Sequence, residues 1–174
     1  MNQKNIPISV IKIGGSTLGS SDTSLRDIVA QHGKDRLYIV VHGGGALISQ
    51  WLDQLNIETK FLDGLRVTSE PALDVVISVL RGIVNTSLVS EVNSLGGRAI
   101  GLSGIDDQLI VARQTNSKLG LVGTITQVRT NILTHLLSER YIPVIAPVGI
   151  QPPAQVLNIN ADAAAGEIAR EINA

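Results

Sequence analysis

Apolar residues fall into short, blunt runs separated by stretches of helical period. Segments 8–13 (ISVIKI), 37–41 (LYIVV), 99–102 (AIGL) and 142–146 (IPVIA) predict strands. Several are apolar at nearly every position, the pattern of strands covered on both faces of a parallel sheet. Leu25, Ile28 and Val29 follow the N-cap candidates Ser21 and Asp22, and Leu47, Ile48, Trp51, Leu52 and Leu55 make a second helical stripe. A longer stripe runs Leu73, Val76, Ile77, Leu80, Ile83, Val84, Leu88, Val92 and Leu95. It has Ser69 as N-cap candidate, Pro71 in the first turn and Gly96-Gly97 past its end, the residues that start and stop helices. Ile132, Leu133, Leu136 and Leu137 predict a further helix.

This alternation predicts an α/β protein: a three-layer αβα sandwich around a mainly parallel sheet. Residues 109–128 break the pattern. Their β-branched pieces, punctuated by Asn116-Ser117, Gly120 and Gly123, predict an antiparallel hairpin at a sheet edge. Near Asp162 a last helix begins, striped by Ala163, Ala164, Ile168, Ala169 and Ile172. No capping Gly follows it, from which a chain cut from something longer is expected.

Composition narrows the function. The 174 residues suit one domain, and 14 Lys+Arg against 15 Asp+Glu leave a formal charge of −1. With 44% hydrophobic residues, intrinsic disorder is excluded. Aromatics are limited to Tyr38, Trp51, Phe61 and Tyr141, so a nucleic-acid partner is not expected. Cys is absent, which removes disulfides, thiolate metal sites and cysteine nucleophiles. The opening MNQKNIPISV lacks an apolar run suited to a signal peptide or membrane span, so a soluble, cytoplasmic protein is expected.

Two glycine-rich turns follow predicted strands. In Lys12-Ile13-Gly14-Gly15-Ser16, glycine amides can approach a phosphate, and the lysine within an apolar strand asks for an anionic partner. The lysine precedes the glycines, so this is not a P-loop. His42-Gly43-Gly44-Gly45 opens a helix, but Ile48 stands where a dinucleotide fingerprint needs its third Gly. For each turn the plainer alternative is a loop that merely needs glycine. Arg66, in Gly64-Leu65-Arg66-Val67-Thr68, suits a carboxylate clamp, although such an arginine is more often a surface ion pair. In Asn158-Ile159-Asn160-Ala161-Asp162, two amides share one side of an extended segment and Asp162 caps a helix or holds a lysine.

Other candidates are set aside. Gly101-Leu102-Ser103-Gly104 fails as a nucleophile elbow at Ile105. His32, His42 and His135 lack ligand spacing, so no metal site is expected, and His135 reads as packed. Asp106-Asp107 reads as a solvated turn, and the sequon at Asn85 carries no functional weight.

In this order, VIKIGGS, VHGGG, GLRVTS, AIGLSGIDD, IPVIAPVG and NINADAAA resemble the amino-acid kinase superfamily, and GLRVT with NINAD is similar to its N-acetylglutamate kinase branch. The resemblance spans about residues 10–168. It implies Lys12 as the lysine that stabilises the transferring phosphoryl group and Asp162 as the aspartate that organises active-site lysines. It further implies Gly14 and Gly15 at the ATP phosphates, Gly44 and Gly45 as backbone donors to the acyl substrate, Arg66 on the substrate α-carboxylate, and Asn158 on the substrate. The implied reaction takes Mg-ATP (ATP as co-substrate with Mg2+) and N-acetyl-L-glutamate to N-acetylglutamyl 5-phosphate, a step of arginine biosynthesis. Family members are longer. Residues 1–174 would then form the N-terminal acyl-substrate lobe, with the C-terminal nucleotide lobe absent. A homodimer or higher homo-oligomer is implied through the helix around residues 73–95. Two rivals stand beside this reading: a sibling kinase with another acyl or amino-acid substrate, and a non-catalytic acylamino-acid-binding module.

Overall fold

In the computed structural model, residues 6–14 and 23–174 are described. Strands β1 (Ile8–Ile13), β2 (Leu37–His42), β8 (Ile142–Ala146) and β5 (Ala99–Ser103) lie side by side in that order, and every neighbouring pair is parallel. The period of two decides which layer each residue joins. Tyr38 and Val40 of β2 pack with helices α1 (Ser24–Gln31), α2 (Gly45–Gln54), α3 (Glu70–Ile77) and α4 (Asn85–Ser94). Ile39 and Val41 face the opposite way, onto α5 (Asn131–Ser138) and α6 (Ala161–Ile172). The three-layer arrangement follows from covering both faces of so apolar a sheet.

The long apolar stripe is core. Leu73, Val76, Leu80, Val84, Leu88 and Val92 are buried, Ile77 and Leu95 are half-buried, and Ile83 is exposed. Ser69 caps α3, its hydroxyl accepting from the Ala72 N–H at 3.4 Å. Between α3 and α4 the backbone widens into a π-helical stretch, Ser78–Val84. Glu70–Ser94 is long and apolar enough to cross a membrane by length and composition, but half of its most apolar window is buried within this fold. The N-cap candidates Ser21 and Asp22 lie outside the described residues. Residue Thr23 precedes α1 and makes no side-chain cap bond.

The hairpin expected in 109–128 forms from β6 (Ile110–Gln114) and β7 (Val122–Val128). It does not extend the edge of the parallel sheet. With β9 (Val148–Gln151) and β10 (Gln155–Ile159) it closes a small separate sheet, because β10 pairs antiparallel with β9 and parallel with β7. A two-residue ribbon, β3 (Phe61–Leu62) with β4 (Leu65–Arg66), stands apart. Helix α6 ends on Asn173 in the left-handed conformation, so Asn173 takes the place in which a glycine was sought.

One polar chain crosses the aliphatic core at the carboxyl ends of the strands. The Asn85 Nδ2 amide donates to the Val144 carbonyl at 2.9 Å and to His42 Nε2 at 3.1 Å. Its Oδ1 accepts from Arg81 Nη1 at 3.0 Å. Arg81 also faces the Asp106 carboxylate at 3.7 Å, and Asp106 accepts from the Ser103 N–H and hydroxyl at 2.6 and 2.9 Å. Asp106 is therefore tied into the fold rather than a merely solvated turn. The packed histidine is His42, only 1% exposed, whereas His135 is exposed on α5. Burial first, and then the nearby Arg81 charge, hold the His42 pKa down to about 4, against an opposing bond to the Gly43 carbonyl.

Two outcomes follow. Ile39 is fully buried, so Ile39→Ala lowers unfolding free energy by about 2–5 kcal/mol in urea titration, whereas Leu55→Ala, at an exposed position, changes it by under about 0.5 kcal/mol. His42 must charge on unfolding in acid. Its folded pKa lies below the ordinary 6.5, so stability is full above pH 6.5 and is lost as pH falls toward 4, by an amount on the order of 3 kcal/mol. The unfolding midpoint of His42→Gln flattens over that interval; an unchanged acid slope in the variant contradicts the assignment.

Candidate functional site

The strand ends, the glycine turn after β2 and the β3–β4 ribbon enclose a cleft of about 270 Å3. It is lined by Lys12, Gly44, Gly45, Arg66, Asn158 and Asp162 among others, so six of the eight site residues expected from sequence converge here. Gly14 follows β1 immediately, and Gly15 lies outside the described residues.

Arg66 is not the surface ion pair that such an arginine more often makes. It is 8% exposed, and among the described residues no carboxylate pairs with it. Its Nη2 donates to the Gly45 carbonyl at 3.0 Å and to Ser49 Oγ at 2.7 Å. The guanidinium carbon sits 4.7 Å from the centre of the Phe61 ring, and Nη1 is buried with no partner. Burial pushes its pKa down, yet an arginine keeps its charge at neutral pH. A desolvated cation with a spare donor has one natural complement, an anion with two oxygens in a plane.

The segment carrying Arg66 is stitched to the small sheet. Thr68, fully buried, donates from its hydroxyl to the Arg66 carbonyl at 2.9 Å and accepts from Asn158 Nδ2 at 3.1 Å. Its backbone pairs with Leu119 and Leu121, where Gly120 has φ +68° and where a Cβ would meet the Thr68 carbonyl. The threonine of GLRVT therefore seats the arginine on Asn158. Sequence reasoning gave Thr68 no role, since only the pairing across 90 residues reveals one.

Lys12 is not buried. It is the penultimate residue of β1, on the exposed side, and its Nζ meets Asp162 Oδ1 at 3.1 Å, with the two side chains 35% and 73% exposed. So open a pair adds about 0–1 kcal/mol to stability, and its effect is to aim the ammonium into the cleft. Asp162 is free for this because Asn160 caps α6, its Oδ1 accepting from the Asp162 and Ala163 N–H groups at 2.9 and 3.0 Å. Gly44 precedes α2 with no capping side chain, so the first-turn amides of that helix lack intrahelical acceptors. A Cβ on Gly44 would lie 2.8 Å from Leu80 of the π-helical stretch, so glycine lets this turn settle against it.

Comparison with known proteins places this arrangement. A family model described as the amino acid kinase family matches residues 7–174. The chain is 44% identical over 168 residues to the acetylglutamate kinase of Roseobacter denitrificans, covering 95% of this chain and 58% of that protein. It is 46% identical over 171 residues to the acetylglutamate kinase of Porphyra purpurea, covering 96% and 60%. The chain thus spans about three fifths of these curated relatives. Among solved structures, smu.665 from Streptococcus mutans UA159 superposes with a TM-score of 0.90 at 29% identity, covering 96% of this chain and 69% of that one. The N-acetylglutamate synthase of Neisseria gonorrhoeae, complexed with coenzyme A and N-acetyl-glutamate, shares the fold, with a TM-score of 0.77, 20% identity and coverage of 97% and 40%. With its parallel sheet, its glycine turns at the strand ends and a family match over almost its whole length, this chain belongs to the amino acid kinase family.

Proposed function

We propose that the cleft binds N-acetyl-L-glutamate, and that residues 1–174 supply the acyl-substrate lobe of a kinase that phosphorylates its side-chain carboxylate. The observation that carries this reading is Arg66, buried and, among the described residues, without a carboxylate partner and with no acceptor for Nη1. Its spare donors suit the α-carboxylate, which leaves the distal carboxylate for chemistry. The names of the acetylglutamate kinase relatives support the choice of ligand.

The chemistry asks little of acid–base groups. A glutamate side chain is ionised at neutral pH, so its oxygen attacks the γ-phosphorus of ATP without a general base. The new O–P bond forms as the bond from the γ-phosphorus to the β,γ-bridging oxygen breaks, and the electron pair stays on that oxygen, which leaves with ADP. What must be managed is negative charge meeting negative charge. In this reading Lys12, steadied by Asp162, takes the charge on the transferring group, and the Gly44 and Gly45 amides hold the acyl substrate. Gly14, just beyond β1, lies toward the phosphates of ATP. Bound with the nucleotide, Mg2+ supplies charge neutralisation on those phosphates; among the described residues no cluster of three metal-ligating side chains exists to hold it alone. The product, N-acetylglutamyl 5-phosphate, belongs to arginine biosynthesis in this reading. Self-association over the outer face of Glu70–Ser94, where Ile83 is exposed, is part of the same proposal.

Calorimetric titration tests it. N-acetyl-L-glutamate binds this chain saturably at one site, and Arg66→Lys, which keeps the charge but loses the planar fork, weakens binding by about tenfold or more. Lys12→Ala leaves affinity within about threefold, its proposed role being in the transition state. Equal affinity in the Arg66 variant removes Arg66 from the site. Tighter binding of the homologue with one more methylene moves the reading to a sibling kinase.

A further inference from the structure

The polar chain that ends at His42 has no part in the chemistry above, yet it stops at the turn that carries the substrate amides. Asn85 Nδ2 faces the Val144 carbonyl at 2.9 Å and the Leu102 carbonyl at 3.4 Å, which only accept, and Asn85 Oδ1 accepts from Arg81, so the amide has one orientation and its NH2 faces His42. His42 Nε2 is then an acceptor and Nδ1 carries the proton. That Nδ1–H donates to the Gly43 carbonyl at 3.1 Å. The Gly43 carbonyl and the Gly44 N–H belong to one planar trans peptide and point in opposite directions. Fixing the carbonyl therefore fixes the direction of the Gly44 N–H. The other side of Gly43 is pinned by its own N–H on the Ile13 carbonyl at 2.9 Å, and Gly45 by its carbonyl on Arg66. Gly101 leaves the room that the Asn85 amide occupies.

We propose that Asn85 is a positioning residue for the substrate loop: through the tautomer of His42 it sets the Gly43–Gly44 peptide and so aims the Gly44 amide that lines the cleft. This rests on the acyl-substrate reading of the cleft. A residue that merely satisfied the Val144 carbonyl would leave loop and ligand indifferent to the tautomer.

The test exploits the two ends of the imidazole. In His42→Asn, the side-chain NH2 reaches the place of Nδ1 and still donates to the Gly43 carbonyl. In His42→Gln, the amide reaches the place of Nε2, keeps company with Asn85 and loses that donation. His42→Asn removes two heavy atoms from the core and His42→Gln one, so loss of bulk alone would weaken His42→Asn more, the reverse of the order expected here. N-acetyl-L-glutamate is titrated into wild type, His42→Asn, His42→Gln and Asn85→Leu, and the Gly44 amide and His42 ring resonances are followed by 15N NMR in the ligand-free chain. The expected result is the Nδ1–H tautomer in wild type, affinity within about threefold in His42→Asn, and about tenfold weaker binding in His42→Gln and Asn85→Leu. The Gly44 resonance moves in the last two alone. Equal weakening in both histidine variants, or an unmoved Gly44 resonance in Asn85→Leu, overturns the proposal. Should Asn85→Leu fail to fold, the histidine pair decides by itself. If wild type does not bind N-acetyl-L-glutamate while the resonances follow the expected pattern, the positioning role stands and the ligand assignment falls.

Discussion

A guanidinium buried with no counter-ion among the described residues is the constraint on which this cleft depends. Removing the Arg66 charge from water is costly, and one carbonyl, one hydroxyl and one aromatic face compensate only in part. The remaining Nη1 donor has no partner among the described residues. Much of the surrounding architecture holds this unfavourable group in place: the Thr68–Asn158 bond, the backbone pairing at Gly120, and the seat of the glycine turn against Leu80. Such strain is found where a ligand is to supply what the protein withholds.

The same economy recurs around the cleft. Parallel strands covered on both faces leave only their carboxyl ends to face a ligand, and β1 and β2 are each followed there by glycine. Lys12 is aimed by an open ion pair that contributes little to stability. His42 is kept neutral by burial, and its proton is committed to the Gly43 carbonyl. Cation, amide and guanidinium thus reach one pocket by three separate supports, each rooted in a different element of the sandwich.

How much of this was legible depended on the range of the interaction. Runs such as LYIVV and IPVIA announce strands covered twice, since nothing but a second layer would hide so many aliphatic side chains. Ser69 and Gly96-Gly97 bound the long helix through local chemistry, and those boundaries were readable. The closed sheet of β6, β7, β9 and β10 was not, because strands of four to seven residues take their register from partners far along the chain. The burial of Arg66 was hidden in the same way. Leu65 and Val67 say nothing of burial, which Ser49 and Phe61 decide. Lys12 reversed the error: an apolar strand suggested a buried ammonium, but the residue sits at the strand end, in the open. Asn85 carried no signal beyond a sequon, since its partners stand on the π-helical stretch and on three separate strands, β2, β5 and β8.

In the proposed complex the Nη1 side of the Arg66 guanidinium receives the ligand's α-carboxylate. A crystal structure of this chain with N-acetyl-L-glutamate tests it directly. The account predicts an α-carboxylate oxygen within hydrogen-bond distance of Arg66 Nη1, with the distal carboxylate directed toward Lys12. A ligand seated with its distal carboxylate on Arg66, or bound outside the cleft, contradicts it.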